Sequence, residues 1–221
     1  MSVAPWSFSK IKAFEKCPKQ FYHLKVAKDY TEPETEAMLY GTEFHAACEE
    51  YVRDGKELPG RFEFARDMLD ALIAKPGEKL CEFEMGLTEN LEPCDFDAEN
   101  VWWRGIADLV ILDGERAWIV DYKTGANTRY ADTGQLELMA LALFKFYPEV
   151  QRVSAGLLFT VAGKLIKDRY TRDDEPRLWE KWMFEYNSMR IASEKNIWNP
   201  SPSGLCKRHC PVISCPHNGL S

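Results

Sequence analysis

Apolar residues are concentrated in two neighbouring segments near the middle of the chain. Residues 101–112 and 117–123 are rich in Trp, Ile, Val and Leu, and the Asp113-Gly114 pair between them is typical of a tight turn. The pattern predicts two antiparallel strands that form a β-hairpin. A second pair of such segments, residues 152–160 and 164–170, predicts another hairpin that extends the same sheet.

Apolar residues recur at helical spacing in three further segments. In the first, which follows Gly41, this spacing places His45 beside the buried stripe of the helix. The second covers residues 135–147 and the third runs to about Ser193, each preceded by an Asp or Thr that can cap its first turn. Strands and helices in this order predict an α/β fold, a central mixed sheet flanked by helices.

The composition is that of one compact domain covering residues 1–221. Of the 221 residues, 45% are hydrophobic, which is enough to bury a sizeable core. No apolar run reaches the length of a transmembrane helix, and no N-terminal apolar segment resembles a signal peptide. We therefore expect a cytoplasmic protein, in a bacterial or phage-infected host cell, with reduced thiols.

Two carboxylates and an amine lie near the ends of the first pair of strands. Asp121 and Lys123 point to the same side of their strand because side chains alternate, and Asp108 needs only the right register to join them. Converging carboxylates are stable when a cation lies between them, and oxygen ligands of this kind suit Mg²⁺ or Mn²⁺. A lysine beside such a metal can stabilise a phosphorane or help to deprotonate water. The alternative is an ordinary surface ion pair.

Several motifs, taken in order, resemble the RecB-type branch of the PD-(D/E)XK nuclease superfamily, which includes CRISPR-associated and phage exonucleases. They are the opening segment of residues 7–22, His45 in a GxxxH context, Asp108 in GxxD, Asp121-Tyr122-Lys123-Thr124-Gly125, and Gln135. The resemblance covers about residues 7–217. It implies the restriction-endonuclease-like fold and metal-dependent hydrolysis of DNA.

The resemblance also implies roles for individual residues. Asp108 and Asp121 are the metal-binding carboxylates, and His45 and the backbone carbonyl of Tyr122 are further ligands. Lys123 is the catalytic lysine, and Gln135 orients the site or the phosphate.

The sequence departs from the superfamily pattern in two places. Ala107 stands where the superfamily name has proline, a change that is common in this branch, and Met139 stands where a tyrosine often follows the glutamine. We assign Met139 no role. Glu84, in the segment before the first hairpin, is a candidate for a further acidic residue near the metal, and an exposed strand position explains it equally well.

Four of the seven cysteines form a second group, namely Cys17, Cys206, Cys210 and Cys215. The last three lie in a turn-rich tail with little apolar content, for which a bound metal would be a reason to be ordered. Four thiolates can hold tetrahedral zinc or an iron–sulfur cluster. The resemblance favours a [4Fe-4S] cluster that joins the N- and C-terminal segments. Zinc, with His209 or His217 as a ligand, and unrelated free thiols are the alternatives.

The net charge of −7 says less about a nucleic-acid partner than the distribution of charge does. Lysines predominate at the N-terminus, and two basic residues lie in the cysteine tail. If Cys17 is tied to the tail, these segments form one basic patch that can hold a phosphate backbone. The predicted DNA-binding residues are Lys10, Lys12, Lys16, Lys19, Lys207 and Arg208.

Together these observations predict a Mg²⁺- or Mn²⁺-dependent deoxyribonuclease. Analogy with the family favours an exonuclease that acts on single-stranded ends. The alternatives are a structure-specific endonuclease that uses the same residues and a non-catalytic DNA-binding or assembly module. We expect a phage or mobile-element setting, a recombination or replication protein as partner, and no membrane association.

Overall fold

The computed structural model describes residues 5–129 and 131–219. These residues form two compact units. The central unit is Thr35–Trp179, and the terminal unit combines the described parts of Met1–Glu34 and Glu180–Ser221. No helix in the described ranges is long and apolar enough to cross a bilayer.

The central unit is built on one six-stranded sheet with the order β2-β1-β3-β4-β5-β6. Its strands are β1 (Glu78–Leu87), β2 (Pro93–Cys94), β3 (Trp103–Asp113), β4 (Arg116–Lys123), β5 (Arg152–Phe159) and β6 (Lys164–Thr171). β4 and β5 are parallel, and all other neighbours are antiparallel. The predicted mixed sheet is therefore confirmed.

The helices occur before, between and after the strands. In chain order they are α1 (Phe8–Lys16), α2 (Pro18–Phe21), α3 (Glu36–Asp54), α4 (Arg66–Ile73), α5 (Gly134–Phe146), α6 (Glu175–Glu194) and α7 (Cys206–His209). A 3₁₀ turn, Gly60–Ala65, leads into α4, and a π-type turn, Tyr22–Val26, follows α2.

Both predicted hairpins are present. β3 and β4 pair from Asp113 and Arg116 at the turn to Leu109 and Val120. Gly114 occupies the turn with φ +60°, a conformation that residues with a side chain rarely adopt. β5 and β6 form the second hairpin.

The sheet is covered by helices on both faces. α3 and α4 bury Phe44, Cys48 and Leu69 against Leu109 and Val120 of the hairpin. α5 contacts all six strands and is buried along most of its length, which is why its sequence is apolar all round. α3 begins where the Thr35 hydroxyl accepts a hydrogen bond from the N–H of Met38 (3.2 Å).

Aromatic rings join the two chain segments of the terminal unit. Trp198 lies against Phe14, Phe21 and Tyr22, with ring centroids 5.3–6.4 Å apart. The backbone N–H of Lys19 donates a hydrogen bond to the carbonyl of Asn199 (3.3 Å). The N- and C-terminal segments are thus held together by packing and backbone bonds as well as by any group that the cysteines bind.

Candidate active site

β3 and β4 stop pairing beside the two predicted metal-binding aspartates. Their last paired residues are Leu109 and Val120, so the two strands diverge at Asp108 and Asp121. Oδ2 of Asp108 accepts a hydrogen bond from the backbone N–H of Tyr122 (2.6 Å), in place of a partner on β3. The side chain of Asp108 therefore closes the end of the strand pair and is held facing β4.

His45 reaches the same point from α3. Its Nδ1 lies 3.2 Å from Oδ1 of Asp108, and the burial of Phe44 and Cys48 in the core fixes the rotation of the helix. Burial lowers the pKa of His45, but the hydrogen bond and charge of Asp108, together with the charge of Asp121, outweigh burial and leave the pKa above its ordinary value.

Lys123 links the strand end to α5. Its Nζ lies 2.6 Å from Oδ2 of Asp121 and donates a hydrogen bond to Oε1 of Gln135 (3.4 Å). Asp121 is only 2% exposed. Burial, followed by the charge of Asp108, raises its pKa to about 6, although Lys123 acts in the opposite direction. The structure thus brings the five predicted side chains of the site together.

The sequence analysis missed one member of the site, Glu82 of β1. Ligand atoms of His45, Glu82 and Asp108 all lie within 4.8 Å of one another. β1 pairs with β3 at Cys81–Leu109 and at Phe83–Ala107, so Glu82 is the cross-strand neighbour of Asp108. Glu84, the residue singled out from the sequence, is exposed and is not in this group.

Glu82 adopts a strained backbone conformation at this position. Its φ is +46°, which is rare for a residue with a side chain, and such outliers are concentrated at functional sites. Burial raises its pKa to about 7, and the charge of Asp108 adds to this effect. Nothing in the sequence distinguishes Glu82 from Glu84, because both point to the same side of an ideal strand. Only the register with β3 separates them.

The donor set fits a hard divalent cation. Oδ2 of Asp121 is buried, and among the described residues the contact recorded for it is the ion pair with Lys123. The ligand atoms of His45, Glu82 and Asp108 form one close group, the charge of Asp108 acts on Asp121 of the neighbouring strand, and the backbone carbonyl of Tyr122 belongs to the same strand end. Oxygen-rich sites of this kind suit Mg²⁺ and Mn²⁺.

The four cysteines singled out from the sequence line a single cavity in the terminal unit. All four are free thiols. Cys17 Sγ accepts hydrogen bonds from the N–H of Gln20 (3.5 Å) and of Ser201 (3.4 Å). The amide of Gln20 donates to Sγ of Cys210 (3.6 Å). Hydrogen bonds to sulfur are among the features by which proteins tune bound iron–sulfur clusters.

The six basic residues predicted to bind DNA fall into two groups: two lysines with partners elsewhere, and four residues near the cysteine cavity in sequence. Lys10 donates to the carbonyl of Pro5, and Lys12 pairs with Glu15 (2.6 Å). The others lie close to the cysteine cavity in sequence: Lys16 and Lys19 flank Cys17 and Pro18, and Lys207 and Arg208 follow Cys206 on α7. Lys16, Lys207 and Arg208 are exposed. Their role in DNA binding stays a prediction.

A mixed sheet that presents carboxylates and a lysine at the divergence of two central strands defines a nuclease of the restriction-endonuclease-like class. The family model of the PD-(D/E)XK nuclease superfamily matches residues 5–216, and the chain belongs to this superfamily. It is therefore a nuclease, and the family implies DNA as its substrate.

Two solved structures align with nearly the whole chain at low sequence identity. The "Putative exonuclease" from Eubacterium rectale aligns with 95% of this chain and 89% of its own, with 13% identity and a TM-score of 0.53. The protein SSO0001 aligns with 93% of this chain and 84% of its own, with 13% identity and a TM-score of 0.40. No curated protein matches the chain.

Replacing Glu82 by Gln should stabilise the metal-free protein at high pH. The pKa of Glu82 is raised from 4.5 to about 7 on folding, so the wild-type protein loses free energy of unfolding as the pH rises from 4.5 towards 7. Glu82→Gln removes this loss. After allowance for the partial exposure of the side chain, we expect a gain of about 1 kcal/mol at pH 8 and none at pH 4.

Urea unfolding in EDTA at both pH values measures this difference. The matched control is Glu84→Gln, which makes the same change at an exposed position on the same strand. Equal stability of the two variants at pH 8 would contradict the placement of Glu82 beside Asp108.

Proposed function

We propose that this protein is a Mg²⁺- or Mn²⁺-dependent DNA exonuclease that acts on single-stranded ends. The observation that carries the proposal is the convergence of Asp108, Asp121 and His45 where β3 and β4 diverge, with Lys123 at 2.6 Å from Asp121. This is the arrangement that the family resemblance implies.

The proposed metal ligands are Asp108, Asp121, His45, the carbonyl of Tyr122, and Glu82. When bound, the metal would polarise a phosphoryl oxygen and lower the pKa of a coordinated water molecule. In hydrolysis a water oxygen forms a bond to phosphorus, and the bond from phosphorus to one ester oxygen breaks. The water loses a proton, and the departing oxygen gains one.

Lys123 is the proposed catalytic cation. Its ammonium group is held by Asp121 and by Oε1 of Gln135, so it has few orientations available. A preorganised positive charge next to the reacting phosphate stabilises the extra negative charge of the transition state without reorganisation. Gln135 acts as a positioning residue, because it contacts Lys123 from the first turn of α5.

The choice of an exonuclease over an endonuclease rests on family analogy and on the described function of the similar protein from E. rectale. A structure-specific endonuclease would use the same residues. The preference for single strands, a recombination or replication protein as partner, and a phage or mobile-element setting are part of the same proposal. So is a DNA-binding patch formed by the lysines of the terminal unit and Arg208.

We propose further that Cys17, Cys206, Cys210 and Cys215 bind a [4Fe-4S] cluster with a structural role. The four thiols line one cavity, yet in the described residues no three of them approach within 4.8 Å of one another. Zinc needs thiolates about 3.8 Å apart, given Zn–S bonds of about 2.3 Å in a tetrahedron. The wider spacing supports a larger group, with zinc as the alternative.

Lys123→Ala should reduce cleavage of linear single-stranded DNA by about 10²–10³-fold, the range for losing one preorganised donor. Asp121→Asn should reduce it at least as much and should also weaken Mn²⁺ binding, because Asp121 is a proposed ligand. Single-turnover cleavage and Mn²⁺ titration calorimetry measure the two effects. Lys164→Ala, at an exposed position on β6, is the control. Activity of Lys123→Ala equal to that of this control would refute the catalytic assignment.

Linear DNA should be degraded and circular DNA spared. The measurement is a digest of end-labelled linear and circular DNA, single-stranded and duplex, with Mg²⁺ or Mn²⁺ and with Asp121→Asn as the inactive control. Linearisation of single-stranded circles by the wild-type protein alone would favour the endonuclease. Asp121-independent cleavage would indicate a contaminant.

Anaerobically purified protein should contain iron and acid-labile sulfide in equal amounts. Cys17→Ser should lose this iron and lower the melting temperature, because the cluster joins the two segments of the terminal unit. The matched control is Cys94→Ser, which lies in β2 of the central unit and should keep the full iron content. Zinc in place of iron would favour the zinc site over the cluster. Wild-type protein that contains neither metal would contradict both the cluster and the zinc site.

A further inference from the structure

The face of the sheet that α3 and α4 cover is left open near its β6 edge. There the central unit has a groove with a cavity of about 170 Å³. Val120, Ser154 and Gly156 form its floor. Leu72 and Lys75, at and after the end of α4, lie on one side, and β6 lies on the other. None of these residues belongs to the proposed active site.

The floor of the groove is kept low by small residues. A Cβ at Gly156 would come within 2.6 Å of Cδ1 of Leu165, so the exposed Leu165 side chain would have to move to accommodate it. The cavity is smaller than the roughly 300–1,000 Å³ that pockets for whole small molecules occupy. Its size therefore suits one part of a longer ligand that continues beyond both ends.

The sides of the groove carry positive charge. Lys75, Lys167 and Arg169 line it, and among the described residues Lys167 and Arg169 form no ion pair. The ammonium group of Lys75 lies 5.2 Å from the centre of the Trp118 ring, which is a cation–π contact. The guanidinium of Arg116 lies 5.8 Å from the same ring. Arg116 is paired with Asp113 (2.6 Å) and is not one of the lining residues, so Lys75 is the cation that Trp118 holds in the groove.

Negative charge in the groove is small by comparison. Asp168 is the one carboxylate among the lining residues, and it accepts a hydrogen bond from the hydroxyl of Tyr170 (3.2 Å). The chain as a whole has a net charge of −7, so this cluster of cations stands out against an acidic background. A polyanion is the ligand class that such a groove attracts.

We propose that this groove binds the phosphodiester backbone of the DNA strand on which the nuclease acts, at a position outside the catalytic centre. The inference rests on the proposed function, since it takes DNA as the substrate. Val120 in the floor of the groove directly precedes Asp121 on β4, and side chains alternate along a strand, so the groove lies on the opposite face of the sheet from Asp121 and Lys123. A DNA strand bound there would reach the catalytic centre around the end of β4, which is an interior strand of the sheet.

Charge reversal on β6 tests the proposal. Lys167→Glu and Arg169→Glu change exposed residues that face the groove, so neither should affect folding. Lys164→Glu is the matched control, since it makes the same charge change on the same strand but points to the opposite side. Fluorescence anisotropy with a labelled single-stranded oligonucleotide in EDTA measures affinity without cleavage. Hydrolysis of bis(p-nitrophenyl) phosphate measures the catalytic centre alone.

We expect each groove variant to bind DNA more weakly than the control. The slope of log affinity against log salt should be shallower by about 0.7, so that raising salt from 50 to 200 mM weakens binding about threefold less than in the wild type. Hydrolysis of the small phosphodiester should not change.

Groove variants that bind DNA with the affinity and salt dependence of Lys164→Glu would overturn the proposal. So would polyglutamate that displaces the oligonucleotide from the wild type as well as unlabelled DNA does, because the groove would then suit an acidic protein segment. A wild-type protein that hydrolyses neither DNA nor the small ester, yet binds DNA through Lys167 and Arg169, would refute the proposed function and leave the groove intact.

Discussion

The candidate site depends on one hydrogen bond at the point where β3 and β4 separate. Hydrogen bonding between these strands ends at Leu109 and Val120, and the buried N–H of Tyr122 would be left unpaired without Oδ2 of Asp108. An unpaired buried N–H costs about 1–3 kcal/mol. The same contact directs Asp108 towards Asp121 and leaves its other oxygen for His45. Fold and site are thus joined in a single side chain.

This arrangement is electrostatically unfavourable, because it places carboxylates close together in a buried region. Asp121 is almost fully buried beside Asp108, and Glu82 lies across the strand pair, so that burial raises the pKa of both Asp121 and Glu82. Lys123 and His45 offset only part of the repulsion. A bound cation would relieve the repulsion between these carboxylates. Because it would bind the folded state alone, it would also stabilise that state. The buried core on both faces of the sheet provides the stability that the site gives up.

The features that depend on residues close together in the chain could be predicted from the sequence. The Asp113-Gly114 turn located the β3–β4 hairpin. The helical spacing predicted that His45 lies beside the buried stripe of its helix, and in the structure its ring is next to Asp108. The family motifs identified the residues that meet at the strand end. Glu82 was missed because strand register is a long-range property. The groove beside β6 could not be predicted from the sequence either, since it depends on which part of the sheet α4 leaves uncovered.

The division of the chain into two units has a consequence for the order in which they can form during synthesis. The central unit is continuous, so every residue that it needs has been translated once Trp179 has left the ribosome. The terminal unit draws on both ends: Phe14, Phe21 and Tyr22 are made first, but their partner Trp198 is made more than a hundred residues later. Phe14, Phe21 and Tyr22 therefore lack their contact with Trp198 while the central sheet is assembled. A ribosome that stalls between Trp179 and Trp198 releases a chain that contains the whole central unit but lacks the cysteine tail.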